Sequence, residues 1–327
     1  MKAYVLRSYG PPDVLELTDV GTPVPGPGEV LVRVRATSVQ PYDWHHMRGE
    51  PYVARLMGGT LGPRRPRIGV LGADVAGEVE AVGAGVTAFR PGDEVFALLT
   101  QGGFAEYVCV REGALARKPE NLSFEQAAAV PMAAVTALIA LDQGRVQEGH
   151  AVLVNGASGG VGTFAVQLAK AFGAEVTAVC SGRNADLVRS IGADEVVDYT
   201  KEDFTRRGRR HDLLLDIAGT RPLRACARVL KPRGTHLVVG GPAGRWLQPV
   251  GHIIATLAVS PFVSQRVVVT QVSYGEKVRG DLMRLTDLIE DGKVTPVIDR
   301  GYPFDEIPAA VGYVEQGHAR GKVVVTL

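Results

Sequence analysis

The sequence predicts an α/β protein built from an irregular β-barrel or sandwich joined to a doubly wound parallel sheet. Three observations predict it. Residues 1–121 are rich in Gly and Pro and carry short alternating apolar segments. From Leu122 onward, short continuous apolar runs alternate with helical patterns, as parallel strands covered on both faces require. A glycine-rich turn separates the first of those runs from its helix.

Composition sets the bounds. With 327 residues, 46% of them hydrophobic, the chain is long enough for two cores. A formal net charge of +1 argues against a nucleic acid as main partner. The basic run Arg206, Arg207, Arg209 and Arg210 has no interleaved aromatics and reads as a solvated loop. Cys109, Cys180 and Cys226 form neither a CxxC pair nor a disulfide framework, which fits a reducing compartment. The opening MKAYVLRSYG lacks a signal-peptide core, and the apolar stretch around Ile253 to Val263 is broken by Pro261. A cytoplasmic protein with no membrane partner is expected.

In the first region, GTPVPGPGEVLVRVRA is a turn-rich entry into a strand. Val30, Val32 and Val34 share one face, and Arg33 and Arg35 take the other. GADVAGEVEAVGAGV and GDEVFALL add short strands between glycine turns. NLSFEQAAAVPMAAVTALIAL is then alanine-rich and helical, with Ser123 as its N-cap. AVLVN, EVTAVC, DEVVD, DLLLDIA and THLVVGG follow as strands with helices between them, and RVVVTQV is the expected final strand. A helix from about Asp281 to Glu290 and a closing helix and strand complete the chain. The expected domains are residues 1–121, a dinucleotide domain at 122–264, and a segment at 265–327. That last segment supplies the final sheet strand and returns to the first domain.

The strongest motif is Asn155-Gly-Ala-Ser-Gly-Gly-Val-Gly162, between the strand AVLVN and an amphipathic helix. This is the context of a Rossmann dinucleotide loop. Gly156 permits the tight turn, and Gly162 lets helix and strand pack closely. Ser158, Gly159, Gly160 and Val161 would bring backbone N–H groups to a pyrophosphate at the helix N-terminus. After the second strand the chain reads Cys180-Ser-Gly-Arg-Asn184, with no acid to bind a ribose 2′-hydroxyl. Ser181 and Arg183 instead suit a 2′-phosphate. Tyr199, after the third strand, would close the adenine side. NADPH is therefore the expected cofactor.

With these residues in place, the chain resembles the medium-chain dehydrogenase/reductases, in their zinc-free quinone oxidoreductase-like branch. The resemblance rests on VLRSYGPPDVLEL, VPGPGEVLVRVRATSVQPYDWHHMRGEP, GADVAGEVEAVGAGVTAFRPGDEVF, AAAVPMAAVTAL, GASGGVGTFAVQLAK and HARGKVVV. It implies a GroES-like catalytic domain split by the Rossmann domain, with an active-site cleft between them. It places the nicotinamide near Thr136 and the backbone of Val239, Gly240 and Gly241. Phe262, Val263 and Ser264 would line the other side, and Ala218 would meet the adenosine ribose.

Zinc-dependent relatives carry Cys where this chain has Gln40, His-Glu where it has Ala73-Asp74, and Cys or Asp near Met132. Gln40, Ala73 and Met132 offer no soft ligand set, so no metal is expected. The zinc-free relatives often have Asn at position 40, and Gln reaches one carbon further. Candidate polar groups for catalysis are Gln40, Tyr42, His45 and Tyr52. His45 and His46 are adjacent and cannot easily face one metal together.

The favoured activity is NADPH-dependent reduction of quinones or α,β-unsaturated carbonyls. A zinc-free carbonyl reductase or alcohol dehydrogenase is the second reading. It is disfavoured because a simple ketone needs its oxygen polarised. A non-catalytic NADPH-binding sensor is the third. A homodimer is expected, because RVVVTQV would form an apolar edge strand and exposed edges invite pairing.

Overall fold

The computed structural model of the chain describes residues 1–56, 59–242, 244–272 and 275–327. Two compact units are present. One comprises residues 1–135, 273–292 and 296–327, and the other residues 136–272 with 293–295.

The first unit opens with an antiparallel pair, β1 (Lys2–Leu6) and β2 (Leu15–Asp19). In β3 (Glu29–Val39), Val30, Val32 and Val34 are buried against Val75, Val79, Val95 and Leu115, while Arg33 is exposed. The alternation read from the sequence thus decides which face is core. Helix α1 (Pro41–Arg48) starts after Gln40 and stops at Gly49, whose left-handed φ of 64° lets its N–H cap the last carbonyls. Strands β4 (Asp74–Val82), β5 (Glu94–Leu98), β6 (Tyr107–Arg111) and β7 (Leu115–Arg117) complete this part of an antiparallel sheet ordered β3-β4-β5-β7, with β6 also on β3. Helix α2 (Phe124–Ala128) is capped by a reciprocal pair: the Ser123 hydroxyl accepts from the Gln126 N–H, and the Gln126 side chain accepts from the Ser123 N–H. It packs on β3 and β4, so the first unit runs past Leu122. Alanine-rich helicity reveals a helix but not the core it joins. The division falls instead inside α3 (Pro131–Gly144).

The second unit alternates strand and helix. Its elements are β8 (Ala151–Asn155), α4 (Gly160–Ala171), β9 (Glu175–Cys180), α5 (Ala185–Ser190), β10 (Glu195–Asp198) and β11 (His211–Asp216). Next come α6 (Leu223–Cys226), β12 (Leu230–Val238), α7 (Val250–Val259) and β13 (Arg266–Val269). All six strands are parallel, in the order β10-β9-β8-β11-β12-β13. This is the doubly wound order with its switch point between β8 and β11, where ligands bind at the carboxyl ends of the strands. Val152, Leu153 and Val154 are buried, which accounts for the unbroken apolar run of β8. The final strand is shorter than RVVVTQV suggests: its ladder with β12 covers Arg266–Val269 only. It is the edge of the sheet.

The chain then returns to the first unit through α8 (Glu276–Glu290), β14 (Ile298–Pro303), α9 (Ile307–Glu315) and β15 (Lys322–Thr326). Strand β15 lies between β14 and β3, with Val323 opposite Val39. The C-terminal strand therefore closes the same sheet that the N-terminal third begins.

Candidate active site

The second unit holds the expected dinucleotide loop. Gly156 adopts φ 94°, and a Cβ on Gly162 would lie 2.1 Å from the Gly156 carbonyl oxygen. Both positions therefore require glycine. A Cβ on Gly159 would meet only the Gly156 oxygen, at 3.6 Å, and would project into otherwise open space. Among the described residues, the N–H groups of Gly160 and Val161 at the start of α4 have no acceptor. An open glycine beside unpaired N–H groups at a helix N-terminus suits a pyrophosphate.

The neighbouring loops are tied to this one. Asn155 Nδ2 donates to Asp216 Oδ1 at 2.7 Å, and Asp216 also accepts from the Gly219 N–H and from His236 Nε2. Burial alone would raise the Asp216 carboxyl, but these partners hold it below its ordinary value. Asn184 Nδ2 donates to Ser158 Oγ at 2.9 Å, linking the turn after β9 to the glycine loop. The Ser158 hydroxyl proton is thereby left for another acceptor. Ser181 is half-buried, and Arg183 is exposed with no ion pair among the described residues. Tyr199 is exposed after β10. One acid that sequence spacing missed comes close. Asp198 at the end of β10 is opposite Cys180, and its carboxylate is turned onto the Gly182 N–H and the Thr200 N–H and hydroxyl. It is occupied in shaping the turn.

Thr136 is buried on α3. Ala218 follows β11, and its N–H donates to the Asn155 carbonyl. Val239, Gly240 and Gly241 follow β12, so they share the carboxyl edge of the sheet with the glycine loop. Phe262, Val263 and Ser264 do not join them. They precede β13, which is parallel to β12, and so stand at its amino end. The segment that reaches the carboxyl edge is Thr270–Val272, where the buried Thr270 hydroxyl has no partner among the described residues. Counting strands without their polarity in space hides that difference.

In the first unit, Gln40, Asp74 and Met132 do converge, although they lie far apart in sequence. Asp74 is fully buried. It accepts from Ser38 Oγ at 2.6 Å, from Gln40 Nε2, and from the Met132 N–H at 2.8 Å. The group that sequence reasoning missed is Lys322, at the start of β15. Its buried ammonium donates to Gln40 Oε1 at 2.7 Å and lies 3.4 Å from Asp74 Oδ2. Burial pushes Asp74 up and pulls Lys322 down, and each charge opposes the shift of the other. The Gly-Lys of HARGKVVV was its only signal. A second carboxyl, Asp43, accepts from the Gln40 and Gly72 N–H groups, and burial pushes it up to about 7.

The other candidates surround this cluster unevenly. Tyr42 is half-buried, its hydroxyl donates to the Thr100 carbonyl, and burial pushes its phenol up to about 12. His45 stacks on Trp44, its Nδ1 donates to the Glu50 carbonyl, and burial pulls it down to about 4. His46 Nδ1 donates to the Tyr42 carbonyl, so its Nε2 accepts from the Thr60 hydroxyl at 2.6 Å. Tyr52 lies beneath the Arg55 guanidinium. The grouping of metal-type donors among the described residues is elsewhere, in the second unit, at Asp216, Cys226 and His236. There burial drives the Cys226 thiol up, which disfavours the thiolate a metal needs.

Comparison with known proteins agrees with this architecture. Residues 26–120 match the alcohol dehydrogenase GroES-like domain, and residues 191–325 match the family model described as zinc-binding dehydrogenase. The chain is 36% identical to the mouse mitochondrial NAD(P)H oxidoreductase RTN4IP1, over 100% of this chain and 89% of the relative. It is 36% identical to the chloroplastic NADPH-dependent alkenal/one oxidoreductase of Arabidopsis thaliana, over 99% of this chain and 79% of that protein. The structure of the quinone oxidoreductase from Coxiella burnetii superposes with a TM-score of 0.86 at 31% identity, covering 100% of this chain and 99% of that one.

Proposed function

Because the chain belongs to the medium-chain dehydrogenase/reductase superfamily, in its quinone oxidoreductase-like branch, and is an oxidoreductase using a nicotinamide cofactor, we propose that it reduces quinones or α,β-unsaturated carbonyls with NADPH and without a metal ion. The observation that carries the reading is Lys322. Its ammonium is held by Gln40 and Asp74, two of the positions where zinc-dependent relatives carry their ligand set. A buried cation already satisfies those acceptors, and a second cation there would meet it at close range.

The reduced nicotinamide, when bound, supplies the hydride. The N–H groups of Gly160 and Val161 would hold its pyrophosphate, and Ser181 and Arg183 the 2′-phosphate. Thr136 and the Val239–Gly241 backbone would flank the nicotinamide. An enone that accepts hydride at its β-carbon becomes an enolate with charge on a distant oxygen, which hydrogen bonds alone can stabilise. Tyr42 keeps its proton at neutral pH because its phenol is pushed up to about 12, so it can serve as a neutral donor once that one proton turns from the Thr100 carbonyl to the enolate oxygen. His45 and His46 are held neutral by burial and add no competing charge. A proton from Tyr42 or water completes the reduction.

The same proposal includes a homodimer paired through the open edge of β13. Exposed Trp246, Leu247, Ile254, Leu257 and Phe262 in the same unit support it. It also includes a cytoplasmic location, which rests on three free cysteines. No described helix is long and apolar enough to cross a membrane. The test of activity is NADPH oxidation with matched quinones, enones and saturated ketones. Enones and quinones should dominate kcat/KM. A preference for saturated ketones, with the alcohol as product, would overturn the reading in favour of carbonyl reduction.

A further inference from the structure

Asp216 touches three turns at the carboxyl edge of the parallel sheet, those after β8, β11 and β12. Its carboxylate Oδ1 accepts from Asn155 Nδ2 at 2.7 Å, at the end of β8, and from the Gly219 N–H at 2.9 Å, in the turn after β11. Its main-chain oxygen accepts from the Val239 and Gly240 N–H groups after β12, at 3.0 and 3.3 Å. The turns also press on one another. The Ile217 and Ala218 N–H groups both donate to the Asn155 carbonyl. Gly219 has a φ of 60°, and a Cβ on it would stand 2.5 Å from the Gly241 Cα. The backbone proposed to flank the nicotinamide, Val239–Gly241, is thereby fixed relative to the end of β8, where the glycine loop starts.

The other carboxylate oxygen, Oδ2, accepts from His236 Nε2 at 3.2 Å, and both side chains are fully buried. Across the β11–β12 ladder His236 stands opposite Leu214, and Asp216 opposite Val238. Both polar side chains therefore lie on the same face of the sheet as Leu214. That face is apolar, since Leu214, Cys226, Val229 and Leu230 belong to one buried cluster. His236 Nδ1 has no partner among the described residues, so the bond to Asp216 is what orients the ring. A carboxylate and an imidazole in such a core cost free energy that an apolar pair would not. What they provide is direction. The bond from β12 fixes the Asp216 carboxylate, and the carboxylate fixes the turns.

We infer that His236 and Asp216 are positioning residues for hydride transfer. Through the carboxylate, His236 sets where the nicotinamide turn stands relative to the pyrophosphate loop, and so where the dinucleotide presents its hydride. Neither side chain reaches solvent, so both act through the turns. The inference rests on the proposed NADPH-dependent reduction. A misplacement of about 1 Å at a reacting centre costs up to about 10²-fold in rate, so a buried brace is enough to matter.

The test compares His236→Leu, which fills the space but removes the donor, with His236→Gln, which keeps a donor for Asp216. Calorimetry measures the affinity of each full-length protein for NADPH and for 2′-phospho-ADP-ribose, the same ligand without its nicotinamide. His236→Leu should lose about fivefold or more in NADPH affinity and keep wild-type affinity for the fragment. With NADPH and an enone, its kcat should fall by about tenfold or more at an unchanged enone KM. The primary isotope effect with NADPH deuterated at the transferred position should hold or rise, because hydride transfer becomes the slow step. His236→Gln should restore most of each loss. Leu serving as well as Gln would overturn the inference, since packing would then suffice. Equal losses for NADPH and the fragment would also overturn it, by making the role merely structural. So would a lower kcat with a smaller isotope effect, which would put the change in another step. If His236→Leu does not fold, Asp216→Asn replaces it. That variant keeps an oxygen for Asn155 and Gly219, loses the acceptor for His236, and should show the same pattern; wild-type behaviour would sink the inference. If wild type binds both ligands yet reduces no conjugated acceptor, the reductase reading falls, and the two affinities still decide the role of His236.

Discussion

Lys322 and Gln40, 282 positions apart in sequence, meet at 2.7 Å in the buried interior of the first unit. The contact exists because β15 closes the sheet beside β3, bringing the last strand to the residue that starts α1. It also fixes the Gln40 amide, whose oxygen faces the ammonium and whose nitrogen faces Asp74 and Ser38. Gln40 is thereby a framework residue before it is a substrate contact.

Lys322→Met should destabilise the protein by about 3–5 kcal/mol, the usual loss when one partner of a buried pair is removed. Adding Asp74→Asn should recover part of it, because the uncompensated carboxylate is then gone. Urea denaturation of the two variants measures this. A loss below about 1 kcal/mol for Lys322→Met would mean that the pair is not charged.

Asp43 makes stability depend on pH. Its carboxyl is pushed from the ordinary 3.8 up to about 7, chiefly by burial, against the pull of the Gln40 and Gly72 N–H groups and Lys322, with Asp74 adding to the rise. A raised pKa means that the folded state holds the proton longer than the unfolded one. Stability from this group is therefore full below about pH 4 and lost as pH rises through about 7. Asp43→Asn should flatten that slope. It should also cost about 1–3 kcal/mol below about pH 4, a cost that shrinks as pH rises, because an amide cannot accept from both N–H groups. Parallel slopes for variant and wild type in denaturation across that range would refute it.

Much of this was legible in the sequence, and the limits have physical causes. The glycine loop could be read because Gly156 and Gly162 answer to local sterics that no other residue satisfies. The burial of Val30, Val32 and Val34 followed from a period of two. Lys322 was invisible as a site residue, since only the pairing of the terminal strand with β3 brings it to Asp74. Phe262 was misplaced for a similar reason: nearness in sequence to the last strand does not say at which end of it a residue stands. Asp198 was missed because β10 delivers it beside Gly182 from the next strand over.

Arg183→Ala should weaken NADPH binding by roughly tenfold or more and barely change NADH, since a charge-assisted bond to phosphate contributes about 1.5–3 kcal/mol. Gly159→Val should abolish binding of both, because its side chain would occupy the open space before α4. Fluorescence titration with the two cofactors separates these effects. Equal losses for NADPH and NADH in Arg183→Ala would remove the 2′-phosphate from its neighbourhood.

The β13 edge offers a clean test of assembly. The Thr270 N–H donates inward to the Val238 carbonyl. Alternation along a parallel strand then turns the Val267 and Val269 N–H groups outward. Val267→Pro should remove an outward donor, leave the β12 ladder intact, and convert a dimer to a monomer with little loss of cofactor binding. Light scattering of wild type and variant at micromolar concentration measures it. A monomeric wild type near 34.7 kDa would end the proposal.

Tyr42 decides how much catalysis owes to a built-in acid. Its hydroxyl donates to the Thr100 carbonyl at 3.0 Å, so it is positioned without substrate. With the phenol pushed up to about 12 it stays protonated, and kcat should remain level through the weakly alkaline range. An enolate can take its proton from water, so Tyr42→Phe should slow enone reduction by less than about tenfold. Loss of an essential general acid would remove about 10²–10⁴-fold. A saturated ketone builds an alkoxide directly at the attacked carbon, where a single donor matters more, so the same variant should lose proportionally more of any ketone activity. The comparison needs kcat for both acceptors in both proteins. An enone rate reduced a hundredfold or more, with NADPH binding unchanged, would make Tyr42 the proton donor and overturn the view that placement carries the reaction.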